Sequence, residues 1–587
     1  MAGCKDRGDL LAELGRQAVL LEEDLRARSA EEEFAAVLEA EYRAAREARR
    51  TGASYPAWRD ERVAQAAAAW VLGTLFVRFC EDNGLVEQPW ITGPGDRAEA
   101  AEARQQAFFA TTPNLNDRDW LVSAFVHLAK CHRTTEGLFN RSYNPLWQLT
   151  PSAEAAGALL EFWRRRGPDG APVHDFTDPD LDTGFLADLY QGLHESARTA
   201  HAPLHTPAFV VDFLLDLTLE PAIEEFGLEP ELEVRSGSGG AVWQHRGLRA
   251  IDPACGSGEF LLGMFTRLLA RHRAAAGAQA DLWELVRKAL NSVHGCDRDP
   301  LAVSIARFRL LVCVLRETGA RRLDQAPDFP LHIAVGDALL HGRDAWSSAD
   351  GPPTADRQVF TYATEDVADH VRRVDLLGRE SYHAVVTEPP HAVVRDRQEN
   401  ANYRSVYDVC SGAYPLSVPF TQRLFRLATR EHAGFAGQIT ANAFLKREFG
   451  RKLVEDFLGR KVKLTHIVDT SGAFLPGRSA PTVVLVGRNT VQGWADPIRE
   501  VLGTRAEPAP PADPARGAVW RSIVENVGRP GIETAWVSVR NGDRDLRACH
   551  PWSLSGGGGE ELRRHLEGAP QRLGDRVAEV GCDTLLR

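Results

Sequence analysis

The sequence predicts an α/β fold, a mostly parallel twisted sheet preceded by a helical region. Three observations predict it. Short apolar or β-branched runs recur at 248–251, 293–296, 331–335, 384–386, 437–440 and 482–486. Helical patterns separate them, which is the signature of βαβ units. Before residue 200, apolar residues recur at helical spacing instead, as in Leu10, Leu11 and Leu14, then Phe34, Val37, Leu38 and Tyr42 on one face. Acidic residues and a glycine turn then fall at the carboxyl ends of the strands, where ligands bind in open α/β sheets.

The domain organisation follows. Residues 1–200 read as a helical accessory domain and 201–490 as the α/β domain. Residues 491–587 read as an irregular linker opening a further, truncated C-terminal region, because Pro508, Pro510, Pro511, Pro514 and the glycine run 556–559 break any periodic pattern. Within the helical part, the apolar run 63–77 contains Gln65 and ends at Arg78. It falls short of the roughly 20 residues a bilayer needs, so it reads as a core helix.

Composition bounds the function. Hydrophobic residues are 44% and charged residues 26%, which is globular and excludes wholesale disorder. The net charge of −12 argues against a protein that coats nucleic acid without specificity, but leaves room for a local basic groove. The nine cysteines are scattered and form no Cys-x-x-Cys pair, so neither a disulfide framework nor a metal site is expected. The charged start (Lys5, Asp6, Arg7, Asp9) is unlike a signal peptide, and a cytoplasmic protein with no membrane partner is expected.

The sharpest signal is Ile251-Asp252-Pro253-Ala254-Cys255-Gly256-Ser257-Gly258-Glu259-Phe260-Leu261-Leu262. An apolar strand enters a Gly-x-Gly turn and then an apolar helix. Glycines there admit positive φ and a close ligand, and the helix start offers free N–H groups. A dinucleotide site would carry a third glycine, but Leu261 stands at that position. Asp252 would repel a pyrophosphate and suits a ligand bearing ammonium and hydroxyl groups.

This string resembles the Asp-Pro-Ala-Cys-Gly-Ser-Gly-x-Phe-Leu motif of S-adenosylmethionine-dependent amino-methyltransferases, the DNA adenine-N6 enzymes among them. The resemblance implies a Rossmann-like methyltransferase domain with cofactor contacts from Asp252, Ala254, Cys255, Gly256 and Gly258. It also implies ribose hydroxyls on Asp297, in Val293-His294-Gly295-Cys296-Asp297, and the cofactor's adenine amino group on Asp337, in Ile333-Ala334-Val335-Gly336-Asp337. Thr206-Pro207 resembles the element that packs on the methionine moiety in γ-class members.

The string Thr387-Glu388-Pro389-Pro390-His391 follows the next strand. The family has Asn or Asp, then Pro-Pro, then an aromatic residue. An exocyclic amine is a poor nucleophile because its lone pair is delocalised. A side-chain oxygen and the first proline's carbonyl accept its N–H bonds, the prolines hold the turn rigid, and the aromatic stacks on the flipped-out base. Glu388, Pro389, Pro390 and His391 are therefore the catalytic candidates. Glu388 still accepts two hydrogen bonds, but its extra methylene moves the acceptor by roughly 1.5 Å. The sequence thus predicts an intact cofactor site beside a reaction centre of altered geometry.

Further strings extend the likeness: 376–386, 437–444, Thr470-Ser471-Gly472-Ala473-Phe474-Leu475-Pro476-Gly477 and Pro481-Thr482-Val483-Val484-Leu485. Together they resemble the adenine-specific methyltransferases of BREX-type (phage growth limitation) defence systems and, more loosely, type IIG restriction–methyltransferases. That implies N6-adenine methylation of double-stranded DNA with S-adenosylmethionine, alongside other defence-system proteins. Two other readings remain: a catalytically impaired cofactor-binding scaffold, and a protein glutamine methyltransferase. The basic residues Arg447, Arg451, Lys452, Arg460, Lys461 and Lys463 are either a DNA-backbone contact or a solvated face.

Overall fold

The protein is described from a computed structural model covering residues 7–168, 170–196, 206–235, 242–277, 279–343, 359–478, 480–493 and 495–554, with 556, 565, 566 and 568. The N-terminal region is helical, as expected: α1 (Arg7–Arg28), α2 (Glu32–Glu47), α3 (Tyr55–Asp82), α4 (Arg97–Thr111), α5 (Asp117–Cys131), α6 (Arg133–Leu138), α7 (Ala153–Arg164) and α8 (Phe185–Ser196). Helix α3 is its axis. It is long and apolar enough to cross a membrane by length and composition, but 89% of its most apolar window is buried inside the fold. Pro56 sits in its first turn, where a missing N–H costs nothing, and Gly84 follows its end at φ +66°.

The α/β part begins with α9 (Ala208–Phe226) and a hairpin of β1 (Glu231–Arg235) and β2 (Val242–Arg246). Then come β3 (Ala250–Asp252), α10 (Glu259–Ala275), α11 (Leu282–Ser292), β4 (Val293–Asp297), α12 (Pro300–Thr318) and β5 (His332–Val335). After α13 (Val367–Val374) follow β6 (Ala384–Thr387), α14 (Arg397–Val406), α15 (Ser417–Leu427), β7 (Phe435–Ala441), β8 (Lys463–Asp469) and β9 (Thr482–Arg488). All six strands expected from sequence are present. The chain does not become irregular after residue 490. It forms β10 (Ile498–Gly503), α16 (Ala518–Asn526) and β11 (Val537–Gly542), so the sheet crosses the boundary expected there.

The nine-stranded sheet has the order β11-β10-β8-β9-β7-β6-β3-β4-β5. Strands β3 to β7 pair in parallel, and β9 runs antiparallel between β7 and β8. From β3 the chain winds outward through β4 and β5, then returns to the other side of β3 to start β6. The strand order therefore reverses between β3 and β6, and a crevice opens at the carboxyl ends there.

Side chains alternate across the sheet as the two-residue strand period requires. Ala250, Ile333 and Val386 join the core that holds the N-terminal helices and α9 to α12, while Ile251, Ala334 and Val385 face a second core under α14 and α15. The helical region is continuous with the first core. Phe76 of α3 stacks on Phe308 of α12 at 4.3 Å between ring centroids and 14° between planes.

Histidines buried in and beside the sheet make the fold acid-sensitive. Burial pushes His383 down to about 3 and His370 down to about 4, both from the usual 6.5. His332 and His466 are lowered in the same way, to about 3 and about 4. Between pH 4 and 6.5 the unfolded chain binds these protons and the folded chain does not, so stability rises with pH across that window. At low pH each of the two well-buried histidines costs the fold roughly 3–5 kcal/mol, a cost absent at neutral pH. Asp82, Glu81, Asp252 and Asp297, raised by burial, pull the other way, but His245, His272, His294 and His341 are lowered as well and keep the histidines in the majority. The expected result is a denaturation midpoint that falls steeply from pH 6.5 to 4.5. A midpoint flat over that range counts against the buried neutral histidines.

Candidate functional site

Asp252 ends β3 and is 1% exposed. One of its carboxyl oxygens, Oδ1, accepts hydrogen bonds from the Ala254 N–H (3.0 Å) and the Thr387 hydroxyl (2.5 Å). Thr387 closes β6, so this bond ties the glycine turn to the catalytic string at the switch point. Burial pushes the Asp252 carboxyl up to about 8, with the nearby Asp297 adding to the rise. An acid held this way favours a neutral form until a cation arrives.

The turn itself needs its glycines. Gly256 has φ +50° and Gly258 has φ +93°, both left-handed. Beyond Gly256 nothing lies within 4 Å of a Cβ position, so space stays open over the turn. A Cβ on Gly258 would instead meet the Ala306 Cβ of α12 at 3.0 Å. The third glycine absent from the motif is supplied from the other side. Leu261 fills that position, and Gly295 on β4 makes room for it: a Cβ there would lie 2.8 Å from the Leu261 side chain. Close helix–strand packing is kept with the glycine moved to the strand.

Asp297, at the end of β4, accepts from the Gly256 N–H (3.0 Å) and the Asp299 N–H (2.9 Å). Burial pushes it up to about 6. Asp337, two residues past β5, is 3% exposed. It accepts from the Tyr403 hydroxyl at 2.7 Å and the Leu339 N–H at 2.9 Å, and pairs with Arg50 at 3.3 Å. Burial pushes its carboxyl up, but Arg50, Arg298 and Tyr403 outweigh burial and hold it below the usual range. Arg50 lies in the α2–α3 connection, and its other terminal nitrogen bonds Glu365 at 2.9 Å.

A small pocket brings the predicted residues together. It is lined by Thr206, Asp252, Ala254, Cys255, Gly256 and Glu388, with Ser257 of the turn, Glu259 and Phe260 of α10, and Ala187 and Tyr190 of α8. Pro207, Gly258, Asp297, Asp337, Pro389, Pro390 and His391 are not among its lining residues. Thr206, expected on the cofactor, lines this pocket, and its hydroxyl donates to Glu388 Oε2 at 2.6 Å. Glu388 Oε2 also pairs with Arg478, and both side chains are buried, 7% and 2% exposed. Glu388 Oε1 is buried and has no hydrogen-bond partner among the described residues. His391 Nε2 lies 3.7 Å from it, while His391 Nδ1 accepts from the Ala441 N–H at 3.4 Å.

Sequence reasoning missed Arg478, Arg50 and Tyr190. Arg478 stands in the gap between two strings that matched the motif family, where a lone arginine after Pro476-Gly477 carried no periodic signal. The basic cluster resolves into parts: Arg451 pairs with Glu448 and Glu455, Lys461 with Asp408 and Lys463 with Asp496. Arg447, Lys452 and Arg460 remain exposed, together with the neighbouring Lys446, in the segment that follows β7. Among the described residues no group of acids, histidines and cysteines could hold a metal ion.

The strand order, the glycine turn at its reversal and the Pro-Pro string beside it define a Rossmann-like methyltransferase fold with a helical N-terminal region. Residues 291–474 match the family model described as the Eco57I restriction-modification methylase. The chain is 45% identical over 581 residues to the adenine-specific methyltransferase PglX of Streptomyces coelicolor, covering 95% of this chain and 46% of the relative. It thus spans about half the length of that relative, and the Pgl-type resemblance read from the motifs is borne out over nearly the whole chain. Similar solved structures include the Type IIL restriction-modification enzyme MmeI in complex with DNA, at 14% identity, 81% of this chain, 57% of that chain and TM-score 0.47. The methyltransferase subunit of a type I restriction-modification system from Streptococcus thermophilus is similar at 11% identity, 86% of this chain, 96% of that chain and TM-score 0.41.

Proposed function

We propose that this chain is the methyltransferase part of a DNA adenine-N6 methyltransferase of a phage-defence system, acting in the cytoplasm with S-adenosylmethionine. The observation that carries the reading is the buried Glu388 Oε1, without a hydrogen-bond partner among the described residues, in the same pocket as Asp252 and the glycine turn. The 45% identity to an adenine-specific methyltransferase supports it independently.

The residues present fit the cofactor. Gly256 leaves open space over the turn and Asp252 offers a carboxyl suited to an ammonium, while Asp297 and Asp337 stand at the ends of the next two strands, outside the pocket lining and already holding backbone N–H groups. Bound there, S-adenosylmethionine supplies an electrophilic methyl group. The protein's own work is on the acceptor amine. Glu388 Oε1 accepts one of its N–H bonds, which localises the nitrogen lone pair. The same oxygen takes the proton the amine loses. Pro389 and Pro390 fix the turn that presents Glu388. His391 offers a ring face to a flipped-out base, and Lys446, Arg447 and Lys452 offer charge to the DNA backbone.

The test is labelled methyl transfer to double-stranded DNA prepared from a host without adenine methylation, followed by digestion and detection of N6-methyladenine. Label in that nucleoside is the expected result. Binding of S-adenosylhomocysteine with no label in DNA would favour a non-catalytic scaffold instead.

A further inference from the structure

We infer that Arg478 is the positioning residue of Glu388, and that the two form a coupled pair standing in for the amide or shorter acid usual at this position. The inference deepens the proposed function and rests on it for the identity of the acceptor amine. It stands on geometry. Arg478 and Thr206 both engage Glu388 Oε2, which leaves Oε1 as the single open acceptor. A glutamate has one more rotatable bond than an aspartate and would sweep its oxygens over a wider arc. The two contacts remove that freedom, and Thr206, two residues before α9, anchors it from the side of the glycine turn. Arg478 comes from the segment between β8 and β9, 90 residues away in sequence. Its side chain is only 2% exposed and its Nε and Nη1 have no other hydrogen-bond partner among the described residues. The guanidinium is therefore committed to Glu388.

The pairing changes what a reversion does. Glu388→Asn restores the residue type of the wider family but leaves Arg478 buried without its counter-charge. Removing one partner of a buried pair is more damaging than removing both. The single reversion therefore lowers transfer, and only replacement of both members can recover it.

A double-mutant cycle on the full chain decides the point, using Glu388→Gln, Arg478→Met and the double variant in denaturant unfolding. The double variant is expected to be less destabilised than the two singles added together, because contacting partners do not add. Methyl transfer is the second readout. Arg478→Met should lower kcat by about 100-fold, the scale of a 1 Å misplacement. Affinity for S-adenosylhomocysteine should stay within about twofold, the split expected when only the reacting geometry is lost. Arg478→Lys should recover part of the loss in kcat. Additive losses of stability, or wild-type kcat in Arg478→Met, overturn the inference. If the unmodified protein transfers no methyl group to DNA, the function reading fails. The unfolding cycle needs no turnover and still decides the pairing.

Discussion

Affinity for S-adenosylhomocysteine should rise about tenfold per pH unit between pH 6.5 and 8, then level off, because each unit of pKa is one decade in the fraction ionised. The group responsible is Asp252. Burial raises its carboxyl to about 8, so at neutral pH most molecules carry it protonated. A ligand ammonium binds the ionised form and must displace that proton. Raising pH toward 8 increases the ionised fraction, so apparent affinity rises, and above 8 nothing more is gained. Asp252→Asn removes the titration and the charge. Its profile should be flat, and at pH 8 it should bind roughly 10- to 100-fold more weakly, the worth of a hydrogen bond to a charged group. Calorimetry in buffers of different ionisation enthalpy measures the proton release directly. A flat profile in the unmodified protein would remove Asp252 from the cofactor's contacts.

Arg50→Met should cost about 3–5 kcal/mol of stability, the usual result of leaving buried charges without their partner. Arg50 is 4% exposed and faces two carboxylates, Asp337 and Glu365, both also buried. It is the only ion-pair partner either has among the described residues. The depressed carboxyl of Asp337 contributes stability above the ordinary carboxylate range and loses it as pH falls through the lowered value. Without Arg50 only Arg298, Tyr403 and His341 still oppose burial, so most of that contribution is lost and the variant's deficit should be largest at neutral pH and shrink in acid. Urea unfolding at pH 7 and at pH 3, below the ordinary carboxylate value, measures both. A deficit under about 1 kcal/mol at pH 7, the range of an exposed pair, would mean that the site relaxes and the clasp is weak.

How much of this was legible in the sequence depends on the range of each interaction. The glycine turn and the acids Asp252, Asp297 and Asp337 were readable because strand, turn and helix are contiguous and each strand ends where its apolar run ends. The convergence of Thr206, Asp252 and Glu388 on one pocket followed from the parallel order of β3 and β6. The Arg478–Glu388 and Arg50–Asp337 pairs were not readable, since their partners lie 90 and 287 residues apart and neither arginine sits in a periodic pattern. Strand β10 was hidden for another reason. Glu500 interrupts its apolar run, yet it is 1% exposed and neutralised by Arg540 (2.9 Å) and Arg547. A charge paired inside the fold looks, one residue at a time, like a surface residue.

The return of the chain from β5 to β6 has a consequence for dissecting the molecule. Asp252 and Thr387 share a hydrogen bond across 135 residues, with two strands and their helices in between. Divide the polypeptide between residues 343 and 359, and the front portion keeps the glycine turn while the rear keeps Glu388 and Arg478. Of the eleven residues that line the pocket, the front portion keeps ten and the rear supplies Glu388, so the glycine turn and the reacting group part company. Recovery of methyl transfer on mixing the two would therefore report reassembly of the sheet itself, strand β6 finding its place against β3.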